Sequence, residues 1–430
     1  KHKKMVNQAY KLEQGWWALD SEPQDRNYGE HSYNKGAEVI HTLRSYLGES
    51  VFRTVLTSFL SAHEYQSVNS AMMRDHLSQS TGVDLTDFFN DWIFQPGWSA
   101  FEVDDLQATP SGNAWNVHID FSQKMRGPAS FYHHVPVTLV LMGTDHHQQH
   151  RVRIDLGGAN TSVDVSCPFQ PAYHWLNDDD RISLAITGST DTITNGSGVH
   201  SFALANFDVV MPAITDTMVT RVEQYWVAPD NGPVEESFAY IISPDRYWRV
   251  AGDVPAGCAG RVIYDGRNTT TGNLDPLLLG DTLGFNFIED SLVMLYRALP
   301  TEAWREWSSS INTLGSHSDG YGRINVDSLR AGEYTLAWRK SAVGIAERSV
   351  GRGWTISPNP SSGEVTITAS AAIGSGMIQV IDSAGRVVRS AAMKSNRIQL
   401  DLHRLSAGTY HLQFQPDHAP GERIGPLLIE

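Results

Sequence analysis

Near residue 100 the periodicity of this 430-residue chain changes, and no single layer architecture accommodates both patterns. Upstream, apolar residues recur at helical spacing; downstream, short runs alternate apolar with polar residues between Gly, Pro, Asn and Asp clusters. The pattern predicts an α+β chain of several domains, with helices packed on helices first and antiparallel β-sandwiches after. The length, about three typical domains, is enough for several separate cores.

In the head, residues 1–100, the segment YNKGAEVIHTLRSYLGE puts Val39, Ile40, Leu43, Tyr46 and Leu47 on one stripe. It predicts a helix over 36–47, which Gly48 can close in a left-handed conformation. SVFRTVLTSFLSAH repeats the stripe with Phe52, Val55, Leu56, Phe59 and Leu60, so a second helix packs back on the first through a very short connection. A third uses Met72, Met73, His76 and Leu77 before Gly82, and Asp84 caps a fourth that carries Leu85, Phe88, Phe89 and Trp92 until Pro96 and Gly97 stop it. Packing accounts for these aromatic residues.

His63-Glu64 begins like the HExxH zinc motif, in which two imidazoles one helical turn apart share a metal and the Glu polarises a water. The position of the second histidine is Ser67, and a hydroxyl replaces imidazole poorly on zinc. Charge excludes another class of partner: 33 basic against 48 acidic residues, a net charge of -15, repel phosphate backbones and anionic headgroups, so no nucleic acid is expected. No run is long enough for a membrane span. The opening KHKKMVNQAY lacks the apolar stretch of a signal peptide, and a start in mid-pattern without Met suggests a chain that begins inside a longer protein. Cys167 and Cys258 are too few for a disulfide framework, and whether they pair is open.

Residues 101–187 offer the strands WNVHIDFSQ, VPVTLVLMG, HRVRIDLGG and TSVDVSC, which suit one β-sandwich. His133, His134, His146, His147 and His150 could serve a metal, but three of them fall on a hairpin tip where neighbours face opposite ways, so a solvated turn is expected. Asn177–Asp180 reads as a loop, with calcium as the functional alternative. Residues 188–200, GSTDTITNGSGVH, read as a linker to a second β-rich domain at 201–350, with strands such as ESFAYIIS, RVIYDG and SLVMLYRAL. Trp226, Trp248, Trp304 and Trp307 could form a sugar platform, though core packing is the expected role. A last β unit at 354–430 enters through Pro358-Asn359-Pro360, with a hairpin turn at Asp382–Gly385. LRAGEYTLAW at 329–338 echoes LSAGTYHLQF at 405–414, as two related sandwiches would.

Two resemblances follow from ordered motifs. Tyr33-x-Lys35-Gly36, Leu47-Gly48-Glu49, Phe59-Leu60, Tyr65 and Ser67, Gly82-Val83-Asp84-Leu85, Phe88-Phe89, Trp92 and Pro96-Gly97 stand in the order seen in zinc aminopeptidases related to membrane alanyl aminopeptidase, the gluzincins. The likeness runs over residues 25–105 and implies that the head is the C-terminal half of a peptidase catalytic domain. Family precedent puts HExxH and the third zinc ligand well before the Tyr-x-Lys-Gly segment, so zinc would be held by sequence outside this chain, and His63-Glu64 would be the end of a later helix. The resemblance implies that Tyr33 donates a hydrogen bond to the oxyanion formed on a peptide substrate, with Tyr28 lining the same cleft. A phenol stays protonated near neutral pH, having an ordinary pKa of about 10, and can donate without carrying charge. Lys35 is expected to be a surface or supporting charge, and Gly36 to permit close backbone approach.

The tail's order, Pro-Asn-Pro, then Asp-x-x-Gly-Arg-Val-Val, then Leu-x-x-Leu-Ser-Ala-Gly-Thr-Tyr, resembles the C-terminal sorting domain of the type IX secretion system. That implies export by the secretion machinery of a Bacteroidetes-type bacterium and a secreted or cell-surface location. The chain departs from the family in ending on GPLLIE rather than on a Lys-rich strand. Two functions are therefore set against each other: the C-terminal portion of a secreted zinc aminopeptidase, and an inactive surface or adhesion protein that displays β-sandwich modules.

Overall fold

The computed structural model describes the chain apart from residues 1, 195, 231–239, 268–273, 280–288, 315, 317–318, 340–353, 370–374, 383–385, 417–421 and 430. Two compact units divide it, Lys1–Ser341 and Ala342–Glu430. The helical head comprises α1 (His2–Leu12), a π-helix at His31–Lys35, α2 (Gly36–Leu47), α3 (Glu49–Ala62), α4 (Ser70–Thr81) and α5 (Thr86–Trp92). The ends of α2 fall where the apolar stripe places them. The Asn69 side chain accepts the Met72 amide at 2.9 Å to cap α4, whereas Asp84 stands one residue before the N-cap position of α5, Leu85, and its carboxylate accepts the Thr86 amide at 2.9 Å. Helix α1 has no counterpart in the sequence reading, yet its buried stripe, Val6, Ala9 and Glu13, has helical spacing.

The first sandwich follows at once. Its strands are β1 (Trp98–Ser111), β2 (Ala114–Arg126), β3 (Val135–Met142), β4 (Gln149–Leu156), β5 (Asn160–Cys167) and β6 (Tyr173–Leu176). They form two antiparallel sheets of order β1-β2-β5 and β4-β3-β6. Inward residues Phe101, Ile119, Leu139 and Leu141 share one core with Leu43, Leu77, Phe88 and Trp92 of the helices. The switch in periodicity near residue 100 thus separates element types and not cores, because an amphipathic helix pair needs an apolar face to cover, and the sheet supplies it.

A second sandwich holds β7 (Ile186–Ile193), β8 (Gly196–Phe202), β9 (Phe207–Ile214), β10 (Met218–Tyr225), β11 (Tyr240–Gly252), β12 (Ala259–Asp265), β13 (Leu292–Arg297), β14 (Arg305–Trp307), β15 (Ser309–Thr313), β16 (Tyr321–Val326) and β17 (Gly332–Arg339). Its sheets run β14-β13-β17-β11-β10-β7 and β15-β16-β12-β9-β8. Residues 188–200 are therefore not a linker: they fall largely within β7, paired along β10 from Ile186↔Tyr225 to Ile193↔Met218, and β8. The Gly and Ser content that suggests a linker has a packing cause. A Cβ on Gly188 would stand 2.6 Å from the Val222 carbonyl oxygen, so glycine is what lets the strands close. Trp226, Trp248 and Trp304 are buried and Trp307 is half-buried against the Tyr296 ring, so these four do not form an exposed sugar platform. Of the strand read at ESFAYIIS, residues 236–239 lie outside the described residues.

The tail is built of β18 (Trp354–Ser357), β19 (Glu364–Ala369), β20 (Gly376–Ile381), β21 (Val387–Met393), β22 (Arg397–Asp401), β23 (Gly408–Pro416) and β24 (Glu422–Ile429). They form sheets β18-β19-β22 and β21-β20-β23-β24 around Val365, Ile378, Leu412 and Phe414. The terminal GPLLIE lies largely in β24, where Leu427 and Ile429 join that core. Residues 383–385 of the expected hairpin turn lie outside the described residues. The internal echo folds the same way twice: the Tyr334 hydroxyl donates to the Arg330 carbonyl at 3.0 Å, and the Tyr410 hydroxyl to the Ser406 carbonyl at 2.9 Å. A tyrosine bonded to backbone a few residues upstream is a corner device of immunoglobulin-like sandwiches.

Within the first unit, a buried charge network joins the two sandwiches. Glu102 of β1 binds Lys124 of β2, and Tyr247 of β11 donates to Glu102 at 3.1 Å. Arg297 of β13, fully buried, grips Asp230 at 2.8 and 2.7 Å and Glu333 of β17 at 2.7 Å, with its guanidinium 4.3 Å from the Trp304 ring. Burial, then the adjacent Glu102 carboxylate, holds the Glu333 carboxyl well above the usual range. Replacing Arg297 by Leu strands two acidic groups. We expect a loss of about 3–5 kcal/mol of stability, read as a lower urea midpoint for the first unit.

Candidate active site around Tyr33

Loop 13–30 and the π-helix carry the sequence-identified residues. Tyr33 is 59% exposed and Tyr28 83% exposed, with ring centroids 6.2 Å apart and planes tilted by 35°. The Tyr33 hydroxyl makes no hydrogen bond among the described residues. Its placement is set by backbone: the Tyr33 amide donates to the Gly29 carbonyl at 3.2 Å, and Tyr33 is exposed on a π-helix whose His31 and Lys35 are buried. Single π turns concentrate at functional sites.

The residues on either side point the other way. His31 and Lys35, four apart and therefore on one helical face, are fully buried. The Lys35 ammonium donates to the Gly97 carbonyl at 3.0 Å and lies 4.7 Å from the Trp98 ring centroid, a cation–π contact that partly replaces water. Burial pulls its pKa down from 10.5 to about 7, against the attraction of Glu22. Lys35 is thus not the surface charge that its residue type suggests. Gly36 also differs from expectation, since a Cβ there would meet nothing nearer than the His31 carbonyl oxygen at 3.9 Å.

Glu13, which sequence reasoning missed, accepts the His31 backbone amide at 3.2 Å with one oxygen and the His31 Nδ1–H with the other. A carboxylate only accepts, so Nδ1 carries the proton. Burial lowers the His31 pKa, opposed by Glu13. The Ser32 hydroxyl donates to Glu22 and the Asn34 amide to Glu30, so the side chains of His31, Ser32, Asn34 and Lys35 all have a hydrogen-bond partner, which for Lys35 is a backbone carbonyl. The signal for Glu13 was present: it continues the α1 stripe one turn past Ala9, an acidic residue on a buried face.

The other sequence candidates disperse. His63 stands just past the end of α3, its ring against Phe59 at 4.8 Å and His76 at 5.7 Å, while Glu64 and Ser67 are exposed. His133 binds Asp91, His134 binds Asp155 at 2.9 Å, and His146 binds Asp253 at 2.6 Å, three separate pairs. His146 is only 23% exposed and is tied to Asp253, while Thr144, Asp145, His147 and Gln148 are exposed, as expected of a solvated turn. Asp178 forms a two-point contact with Arg151 at 2.7 and 2.6 Å, and Asp179 binds Arg181 at 3.2 Å, which gives the acidic run cationic partners of its own. Cys167 and Cys258 are buried free thiols. Among the described residues no three His, Cys, Asp or Glu side chains converge to hold a metal, and the residues present do not fit a zinc site.

Residues 7–92 match the peptidase family M1 domain, and residues 355–420 match a secretion system C-terminal sorting domain. The head is thus similar to a segment of the M1 peptidase domain, and the tail to a sorting domain, which indicates secretion or a cell-surface location. Among curated relatives, probable aminopeptidase 1 of Sulfurisphaera tokodaii is 21% identical over 52% of this chain and 28% of its own length. Aminopeptidase N of Lactococcus lactis is 34% identical over 17% of the chain and 9% of its length. Human aminopeptidase N is 29% identical over 31% of the chain and 14% of its length. The chain spans 28% or less of each of these relatives. No described helix is long and apolar enough to cross a membrane.

The buried lysine gives a pH signature. Its folded pKa lies below its unfolded one, so between about pH 7 and pH 10 the unfolded chain binds more protons, and stability rises with pH over that window and is lost as pH falls through about 7. In Lys35→Met this rise, of order 2 kcal/mol between about pH 7 and pH 9, should vanish. Urea midpoints of the wild type and the variant at the two pH values provide the measurement.

Proposed function

We propose that this chain is the oxyanion-binding portion of a secreted M1 aminopeptidase, which removes N-terminal residues from peptides. The reading is carried by one observation: within the segment that matches the M1 peptidase domain, a half-exposed phenol stands on a π turn whose flanking residues are all tied down. Such a donor costs no reorganisation when charge develops on the scissile carbonyl oxygen, because its neighbours have already fixed the backbone. Tyr33 donates its O–H to that oxygen as it becomes negative. Tyr28, alongside, offers an apolar ring wall to the substrate.

Zinc belongs to this proposal as the group that supplies a hydroxide nucleophile in the family. The sequence contains no HExxH, so the ligands are proposed to come from outside these residues. Sorting is proposed to use the type IX machinery of a Bacteroidetes-type bacterium, with the Ala342–Glu430 unit as the signal.

The experiment uses the full-length gene product and an aminoacyl-nitroanilide. Tyr33→Phe should lower kcat by about 100-fold or more with little change in KM, and a chelator should abolish wild-type turnover. An unchanged kcat removes Tyr33 from the mechanism. Absence of any chelator-sensitive hydrolysis leaves the inactive surface-protein reading in its place.

A further inference from the structure

We propose that Glu13 is a positioning residue for Tyr33, acting through a two-point hold on His31; this rests on the reading of Tyr33 as oxyanion donor. The phenol has no hydrogen bond of its own among the described residues, so its direction is inherited from the π-helix. What fixes the entrance of that helix is a single carboxylate. Glu13 accepts both the backbone amide and the ring Nδ1–H of His31, and thereby sets the main chain and the side-chain rotamer of the residue two before Tyr33. The pair is sealed from water, with His31 fully buried and Glu13 at 4%.

Three further observations show that the hold is built into the fold. Glu13 sits one turn past Ala9 at the end of α1, where its amide still bonds the Ala9 carbonyl at 3.1 Å, so a helix presents it rather than a loose loop. Gly29 is shaped around it: a Cβ there would stand 1.8 Å from the nearer Glu13 oxygen, and the Gly29 carbonyl is the acceptor for the Tyr33 amide. The groups around the pair supply no substitute. Glu22 is engaged by Ser32, the Lys35 ammonium is drawn away to Gly97, and the Trp98 ring, 6.1 Å from the imidazole, only packs. Without the Glu13 carboxylate, a buried amide and a buried ring N–H lose their acceptor, and the segment must shift to find another. A displacement of about 1 Å at a catalytic group costs on the order of 100-fold in rate.

The test combines kinetics of the full-length protein with hydrogen exchange on this chain. Glu13→Ala should lower kcat by about 10- to 100-fold at nearly constant KM, while Glu13→Gln, which keeps an acceptor for the amide, stays within about threefold of the wild type. In a Tyr33→Phe background, Glu13→Ala should change kcat by less than about twofold, since the group it positions is gone. Amides of residues 31–35 should exchange at least about tenfold faster in Glu13→Ala, with those of α2 and α3 unchanged. If Glu13→Ala does not fold, His31→Asn carries the same comparison. Full loss in both backgrounds, glutamine as damaging as alanine, or unaltered exchange at 31–35 overturns the positioning role and leaves the oxyanion reading intact. An unimpaired Tyr33→Phe protein instead overturns the oxyanion reading and takes the positioning role of Glu13 with it.

Discussion

A buried ammonium ties the candidate site to the rest of the fold. Lys35 reaches the Gly97 carbonyl and the face of Trp98, the first residue of β1, so the π turn is fastened to the start of the first sandwich. That sandwich shares a core with α2 to α5, which puts one rigid body beneath the exposed phenol of Tyr33. Burying a cation is costly unless its donors are satisfied and its charge is compensated. Here one carbonyl, one aromatic face and the attraction of Glu22 offset that cost only in part, so the Lys35 pKa falls to about 7. The arrangement exchanges some stability for a fixed geometry, as sites built for chemistry commonly do.

The same logic recurs at larger scale between the two sandwiches. Glu102, Lys124, Tyr247, Arg297 and Glu333 come from five strands, and none finds its partner within its own strand. Buried ion pairs of this kind add little net stability over a well-packed apolar contact, but they allow only one way of fitting the surfaces together. The first sandwich is thereby held at a set orientation to the second within residues 1–341, and the helical head with it. The β modules then serve as a brace for the head.

The tail is a separate unit with its own core, and its recurrence of the tyrosine corner shows one physical solution used twice in one chain. Tyr334 and Tyr410 each close a Gly-led strand onto backbone four residues upstream. The repeat is a statement about sandwich folding and says nothing of catalysis. Export and the candidate chemistry therefore reside in different parts of the molecule: the sorting signal in the C-terminal unit, the phenol in the helical head.

Local pattern sufficed for much of this. The stripe through Val39, Leu43 and Leu47 placed α2, the alternation in VPVTLVLMG placed β3, and the ordered Tyr-x-Lys-Gly and Pro-Asn-Pro motifs pointed to the two families, because each of these depends on residues near one another in the chain. Where Gly188 and its polar neighbours suggested a linker, the deciding contact was a carbonyl on β10, more than thirty positions away. The burial of Lys35 depended on Gly97 and Trp98, and the hold on His31 depended on a carboxylate eighteen residues upstream. The sequence by itself determined helices α2 to α5, most of the strands and the motifs that place Tyr33 and Lys35 in the candidate site, because each of these rests on short-range pattern. Only the tertiary structure decided which charges are buried and what each one grips, since desolvation and hydrogen bonding act between groups that the chain order keeps apart.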